Sequence, residues 1–432
     1  MKFSLPPMHY FTYRQRQLFC EDLPVSEAAA QYGTPLYLYS RKTYREKFHL
    51  IDRAFAGWPH QICFALKANG NPQILRDFAE LGCGGDVVSA GELHLALQAG
   101  IPVSRIVFAG VGKRDDEIIA GLEAGIRGFN VESEAELQVI NELAERRHQI
   151  APVSLRINPD IDIHGHPYIS TGRAADKFGI ELNRAKELLT EIKTFPHVKL
   201  VGLHAHLGSQ ITELWPFPQI GEVFADLAQL ARAAGHHLAY IDVGGGLGAI
   251  YENFIQVASN TNPAPDLALD PNDLAEKLLP ELTRHLPKDC TIIFEPGRAM
   301  VAGSGILVTR VLYTKMTRGK FFIVVDAGMT DLIRPSLYGA YHQIVPVPQR
   351  DGEWQNGDVV GPICESGDFL AKDRLLPPVQ RGDLLAVMTA GAYGFSLSSN
   401  YNARPRPAEV IVDGATVHLS RARQSLETLW RN

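Results

Sequence analysis

The sequence predicts an α/β protein: a closed (β/α)8 barrel of the TIM type, joined to a β domain built as a sandwich or small barrel. Two observations point there. From about residue 60 to 300, a short apolar strand, a glycine-rich or polar turn and a segment of helical period recur in that order. After about residue 300 the helical period fades and short apolar runs alternate with turns. The barrel is assigned to 41–298, and the β domain to 1–40 together with 299–432.

Taken in order, residues 37–39 form an apolar aromatic strand that belongs with the β domain. Barrel strands are expected at 62–67, 85–88, 105–109, 127–131, 153–157, 200–206, 239–243 and 291–295. Helical patterns follow at 90–99, 115–124, 133–147 and 184–194. Eight such units fit a closed parallel barrel better than an open doubly wound sheet, which remains the alternative. The stretch 256–273, rich in Asn, Pro and Asp, reads as a surface loop before the last barrel strand. Further strands are expected at 301–313, 321–325, 343–347, 358–359, 384–387 and 409–412.

Composition excludes several classes of function. With 432 residues, 45% hydrophobic and 21% charged, the chain suits a soluble globular protein with two sizeable cores. A formal net charge of −6 argues against a nucleic-acid or anionic-membrane surface. The five cysteines show no paired spacing and no CxxC, so reduced thiols and a cytoplasmic location are expected, without disulfides or structural zinc. The first residues lack the apolar core of a secretory signal, and no apolar run reaches membrane-spanning length.

In a (β/α)8 barrel the chemistry stands at the C-terminal strand ends. Lys67 closes the apolar run Ile62-Cys63-Phe64-Ala65-Leu66, where desolvation should lower its pKa. A neutral amine there would form Schiff bases with carbonyl compounds, pyridoxal phosphate included. The plain alternative is a strand-end lysine that snorkels to solvent. Other expected strands end in Asp86, in Arg156 with Asn158, in His204 and His206 with Ser209, in Asp242, and in Glu295. The Gly244-Gly245-Gly246 turn exposes consecutive N–H groups to an anion, or else is a tight turn needing positive φ. Arg298 offers a bidentate donor for phosphate or carboxylate, or an ordinary ion pair. Glu295, at the end of Ile292-Ile293-Phe294, needs a cation, and a protonated pyridine nitrogen is one. His206 could stack on such a ring or be a core histidine. His204 and His206 share a strand face, yet no third ligand has suitable spacing, so no metal is expected.

These residues resemble the fold-type III pyridoxal-phosphate decarboxylases, the ornithine/diaminopimelate/arginine decarboxylase family, and within it the members acting on diaminopimelate. The resemblance runs from Tyr37 to about Gly414. It rests on Phe64-Ala65-Leu66-Lys67-Ala68-Asn69, His166-Pro167-Tyr168-Ile169-Ser170-Thr171-Gly172, Lys177-Phe178-Gly179-Ile180, His204-Ala205-His206-Leu207-Gly208-Ser209-Gln210 and Glu295-Pro296-Gly297-Arg298. In the β domain it continues through Asp326-Ala327-Gly328-Met329, Arg334-Pro335-Ser336-Leu337-Tyr338, Gly361-Pro362-Ile363-Cys364-Glu365-Ser366-Gly367-Asp368 and Gly391-Ala392-Tyr393-Gly394.

The resemblance implies an alanine-racemase-like fold, pyridoxal 5'-phosphate as cofactor, and decarboxylation of meso-2,6-diaminopimelate to L-lysine. By the same resemblance Lys67 anchors the cofactor, His206 stacks on it and Glu295 pairs with its ring nitrogen. Asp86 and Arg156 stand around it, and Ser209, Gly244, Gly245, Gly246, Gly297, Arg298 and Tyr393 serve its phosphate. Arg298, Arg334, Tyr338, Glu365 and Tyr393 would contact the amino-acid substrate. Cys364 would return a proton to the substrate carbon, with its loop reaching the site of a partner subunit in a homodimer. Arg334 suits a distal carboxylate and Glu365 a distal ammonium, which would reject substrates lacking those groups. For Cys364 taken alone, a small buried hydrophobe is the other reading. Gly339 departs from the family pattern, which places an acidic residue before Ala340-Tyr341-His342. Asn400-Tyr401-Asn402 continues the resemblance with no role beyond shaping the site. A same-fold decarboxylase for another amino acid or carrier-bound substrate is the rival reading. A racemase, which would pair the ring nitrogen with a cation, and a silent binding protein are less favoured.

Overall fold

The computed structural model describes residues 9–161, 177–256 and 266–430. The expected barrel is present and closed. Its strands are His60–Ala65, Gly84–Val87, Ile106–Phe108, Gly128–Val131, Ala151–Asn158, Val198–His204, Tyr240–Asp242 and Thr291–Phe294. All pair in parallel with their sequence neighbours, and the last pairs with the first, Ile292 lying opposite His60. That pairing rules out the open doubly wound sheet. Ile180–Glu181 adds a short parallel strand beside Ala151–Asn158.

The turns after the strands start helices by local capping. Asn71, Ser89 and Ser133 each accept backbone N–H groups of the helix that follows: Pro72–Glu80, Ala90–Gln98 and Glu134–Arg146. The amphipathic helix Glu134–Arg146 turns Leu137, Ile140 and Leu143 onto the sheet.

The β part is organised around Gly305–Thr317. It pairs antiparallel with Lys320–Val325, with Leu384–Val387 and with the N-terminal strand Leu36–Ser40, which lies parallel to Ala408–Asp413. Phe369–Leu376 and Thr416–Arg421 form the two outer edges of this sheet. Neither shows as a strand in the sequence, because edge strands are kept soluble by charge and lack an apolar run. Lys372, Asp373 and Arg374 interrupt the first, and Ser420 and Arg421 end the second.

Three boundary expectations need correction. The first barrel strand stops at Ala65, and Lys67 lies on the helical turn Leu66–Ala68. The strand expected at 301–313 begins at Gly305, after the short helix Arg298–Val301 and the turn Ala302–Ser304. The surface loop expected over 256–273 holds in neither its end nor its exposure. Helix Pro271–Leu282 starts inside it, capped by Asp270, and Asp266 and Leu267 are buried. Proline fits the first helical turn because its missing N–H would have no partner there, so a Pro- and Asp-rich stretch can start a helix as readily as fill a loop. Asp266 makes a buried ion pair with Lys47 of helix Arg41–Ala54. Residues 257–265 lie outside the described residues, as does the motif at 166–172. Among the described residues, no helix is long and apolar enough to cross a membrane.

Candidate active site

The inner wall of the site is a set of buried charged groups on adjacent strands. Strand register sets Ala65 opposite Asp86, so Lys67, one turn beyond, reaches back to it: Lys67 Nζ lies 2.7 Å from Asp86 Oδ2. Asp86 is fully buried, and its Oδ1 has no hydrogen-bond partner among the described residues. Burial, and Glu295 nearby, raise the Asp86 carboxyl above its usual range. The sequence expectation for Lys67 is overturned. Burial does pull its pKa down, but Asp86, Glu295 and Tyr393 together outweigh burial and raise it, so the free amine is held protonated.

Glu295 follows the last strand and lies under the mouth. Its Oε2 is 3.4 Å from His204 Nε2, and its Oε1 accepts a long bond of 3.5 Å from Asn130 Nδ2. Burial pushes its carboxyl up, but His204, Lys67 and a hydrogen bond with Asp242 outweigh burial and hold it below the carboxylate range. Asp242 behaves oppositely: burial and the Glu295 charge raise its carboxyl well above the usual range. His204, Asp242 and Glu295 bring their donor atoms within 4.8 Å of one another. The spacing of His204 and His206 does not announce this convergence. The strand ends at His204, and beyond it the two-residue alternation no longer applies. His204 turns in to the carboxyls, while His206 faces the cavity.

The glycine turn lies against His206. Gly245 N–H donates to His206 Nδ1 at 3.0 Å, and burial together with Lys67 and Arg156 holds the ring well below its usual pKa, hence neutral. A Cβ on Gly245 would lie 2.1 Å from the carbonyl oxygen of Glu295, so no side chain fits there. Arg156 is buried and pairs with Glu132 at 2.7 Å, over the ring of Phe178. Among the described residues it is not part of the cavity wall.

A cavity of about 650 Å³ opens above this floor, lined by Lys67, His206, Ser209, Arg298, Arg334, Tyr338 and Tyr393 among others. Arg298, at the start of its short helix, donates to Ser209 Oγ at 3.0 Å and lies 4.9 Å over the Tyr393 ring. Tyr393 is held by two bonds between the sheets: its N–H donates to Ala68 O, and Asn69 Nδ2 donates to Gly391 O, 2.8 and 2.9 Å respectively. Its φ of 54° lies in the left-handed region, rare for a non-glycine residue. Arg334 opens helix Arg334–Tyr338 and is buried; its Nη1 donates to His342 Nε2 at 2.8 Å, and His342 Nδ1 donates to Met388 O. That pattern fixes the His342 tautomer as neutral, with its hydrogen on Nδ1. Gly339 caps this helix in the left-handed conformation, φ 61°. The family's acidic side chain is missing at a position where glycine is the least strained residue.

Tyr251 and Thr212 also line the cavity and carry no signal in the sequence; Gln210 and Tyr341 line it too, from within the family motifs but with no role expected. Cys364 and Glu365 are not in its lining. Both are exposed, which removes the buried-hydrophobe reading of Cys364. Their loop is nonetheless built: Ile363 N–H donates to Asp368 Oδ2 and Cys364 N–H to Asn402 Oδ1, 2.6 and 2.9 Å. Asn402, expected only to shape the site, therefore holds the Cys364 loop.

A phosphate-bearing carbonyl cofactor fits these groups. Lys67 faces the cavity, a buried carboxylate lies behind it, and the glycine turn leaves no side chain in the way. Arg298 Nε is buried with no partner among the described residues, a cationic group for an anion to meet. Residues 41–302 match the model of the pyridoxal-dependent decarboxylase family, pyridoxal binding domain. The chain belongs to that family. The diaminopimelate decarboxylase of Vibrio cholerae is 47% identical, covering 98% of each chain, and that of Haemophilus influenzae is 46% identical over 98% of this chain and 99% of its own. The structure of Helicobacter pylori diaminopimelate decarboxylase complexed with L-lysine superposes with a TM-score of 0.87 at 41% identity, covering 94% of this chain and 98% of that one. A lysine/ornithine decarboxylase from Vibrio vulnificus, 21% identical with a TM-score of 0.77, shares the fold. The cofactor of this pyridoxal-dependent family is pyridoxal phosphate.

Proposed function

We propose that this chain catalyses the pyridoxal-phosphate-dependent decarboxylation of meso-2,6-diaminopimelate to L-lysine and carbon dioxide. One observation carries the substrate assignment: a single cavity has Lys67 at its floor and the buried guanidiniums of Arg298 and Arg334 in its wall. With Arg298 serving the cofactor phosphate, the second buried cation, Arg334, favours a substrate with a distal carboxylate, since a substrate without one leaves Arg334 desolvated and unpaired. The full-length relatives support the same reading.

When bound, pyridoxal phosphate supplies an electron sink for the pair left as carbon dioxide departs. Lys67 would anchor it, and Asp86 holds the free Lys67 ammonium in place. The Glu295 carboxylate, kept ionised chiefly by His204 and Lys67, would pair with a cationic ring nitrogen. Neutral His206, fixed by Gly245 N–H, packs against the ring without adding charge. Gly244, Gly245, Gly246, Gly297, Arg298 and Ser209 serve the phosphate, with Tyr393 close by. Arg156, locked to Glu132, adds a cation near His206 that helps keep its ring neutral. Arg334 and Tyr338 hold the substrate.

Cys364 and Glu365 stand exposed on a preformed loop outside the cavity of their own chain. We read that loop as completing the cavity of a second copy in a homodimer, with Cys364 returning the proton and Glu365 holding the distal ammonium. The functional division follows 41–298 for the cofactor and 1–40 with 299–432 for substrate contacts and dimer contacts. The cytoplasm is the compartment assigned. Carbon dioxide release from meso-diaminopimelate, measured beside lysine, ornithine and arginine, tests the reading. Preferred turnover of meso-diaminopimelate is expected; equal turnover of ornithine would instead assign a decarboxylase of broader substrate range.

A further inference from the structure

Tyr251 lies where the two cavity arginines meet. Arg298 Nη1 donates to its hydroxyl oxygen at 2.5 Å, and the Arg334 guanidinium lies 4.6 Å over its ring. The edge of His342, the residue that orients Arg334, meets the same ring at 5.1 Å. The segment carrying Tyr251 is stitched in place from both sides. Ile250 N–H donates to Asp266 O, while Gln210 exchanges two hydrogen bonds with the backbone of Ala249. One phenol thus sets the gap between two cations that would otherwise repel. Burial alone would raise its pKa, yet Arg298 and Arg334 outweigh burial and lower it, which is the response of an oxygen lodged among guanidinium donors.

A hydroxyl has two acceptor lone pairs and one hydrogen. With its oxygen turned to the arginines, Tyr251 has its hydrogen to offer the cavity. A carboxylate accepts it; an ammonium or an alkyl chain end does not. We propose that Tyr251 is a specificity-determining residue, spacing Arg298 and Arg334 and donating its hydroxyl hydrogen to the substrate's distal carboxylate. The inference rests on the decarboxylase reading above and assigns that site's carboxylate recognition to a residue outside the expected set.

Tyr251→Phe keeps the ring under Arg334 and removes only the hydroxyl, so the fold and the cofactor's visible absorbance should be retained. The expected result is a KM for meso-diaminopimelate raised about 10- to 100-fold, the worth of one hydrogen bond to a charged group, with kcat within a few-fold. Competitive inhibition by L-lysine, which keeps one carboxylate, should weaken by a similar factor, while 1,5-diaminopentane, which has none, should inhibit as before. An unchanged KM with normal cofactor absorbance overturns the proposal. So does equal weakening of both inhibitors, which would mark Tyr251 as structural only. Wild-type enzyme that leaves meso-diaminopimelate untouched overturns the decarboxylase reading itself, a result visible before any variant is made.

Discussion

The barrel mouth and the Cys364 loop are built on opposite terms. At the mouth, Lys67, Asp86, Glu295, His204 and Asp242 are drawn together by strand register, and each ionised group meets another within the same chain. In the loop, the backbone is just as well held, by Asp368 and Asn402, yet Cys364 and Glu365 are exposed and outside the cavity lining. The first arrangement is what cofactor binding needs, since burying charges without partners costs several kcal/mol. The second is what the proposed shared site would need: a well-bonded loop whose side chains stay open until a second copy covers them.

Replacing Lys67 attacks the mouth and should have the largest effect. Lys67→Ala leaves Asp86 buried and unpaired and removes the anchor. Turnover should fall by at least ~10⁴-fold, and visible cofactor absorbance should shift or vanish. A coloured, active variant would overturn the anchor assignment. Cys364→Ala attacks the loop and should leave absorbance untouched while lowering kcat by about 10²–10⁴. Mixing the two variants sharpens the comparison further. If loop and mouth come from different copies, a hybrid dimer holds one complete site and regains part of the wild-type rate. No recovery after subunit exchange would place Cys364 in the site of its own chain.

The mouth was legible in the sequence because a (β/α)8 barrel sends its C-terminal strand ends to one place, so polar residues closing apolar runs mark themselves. Lys67, Asp86, Arg156, His206 and Glu295 all surfaced that way. What those runs could not carry was the pairing between strands. The raised proton affinity of Lys67 depends on Asp86 of the next strand, and the ionisation of Glu295 on Asp242 and His204, so a reading of Lys67 by burial alone had the wrong sign. Tyr251 escaped because it lies in an irregular segment with no period to read. For Cys364 and Glu365 the motif was visible, but their exposure was not, since a short loop gives no hint of which way its side chains turn.

The smallest effect expected concerns stability beside the loop and leaves the barrel alone. Asp331 is buried, accepts Gly328 N–H at 2.9 Å, and has its carboxyl raised by burial to about 7. At the mouth, Asp242 and Glu295 shift in opposite directions because each feels the other; no partner carboxyl dominates the hold of Asp331 on its proton. A raised folded-state pKa means that the native chain binds this proton more tightly than the unfolded chain, whose carboxyl titrates near 3.8. Stability from this group is therefore full below about 4, lost progressively as pH rises towards 7, and level above that. At about 1.4 kcal/mol per unit the loss is roughly 4 kcal/mol at most. Asp331→Asn keeps an oxygen for Gly328 N–H and cannot ionise. Urea midpoints of the cofactor-loaded enzyme should thus favour the variant increasingly from pH 5 to about pH 7 and by a steady margin above it. Parallel curves for variant and wild type would show that Asp331 is already ionised in the native fold and that Arg404 and Arg423, the cations near it, compensate its burial.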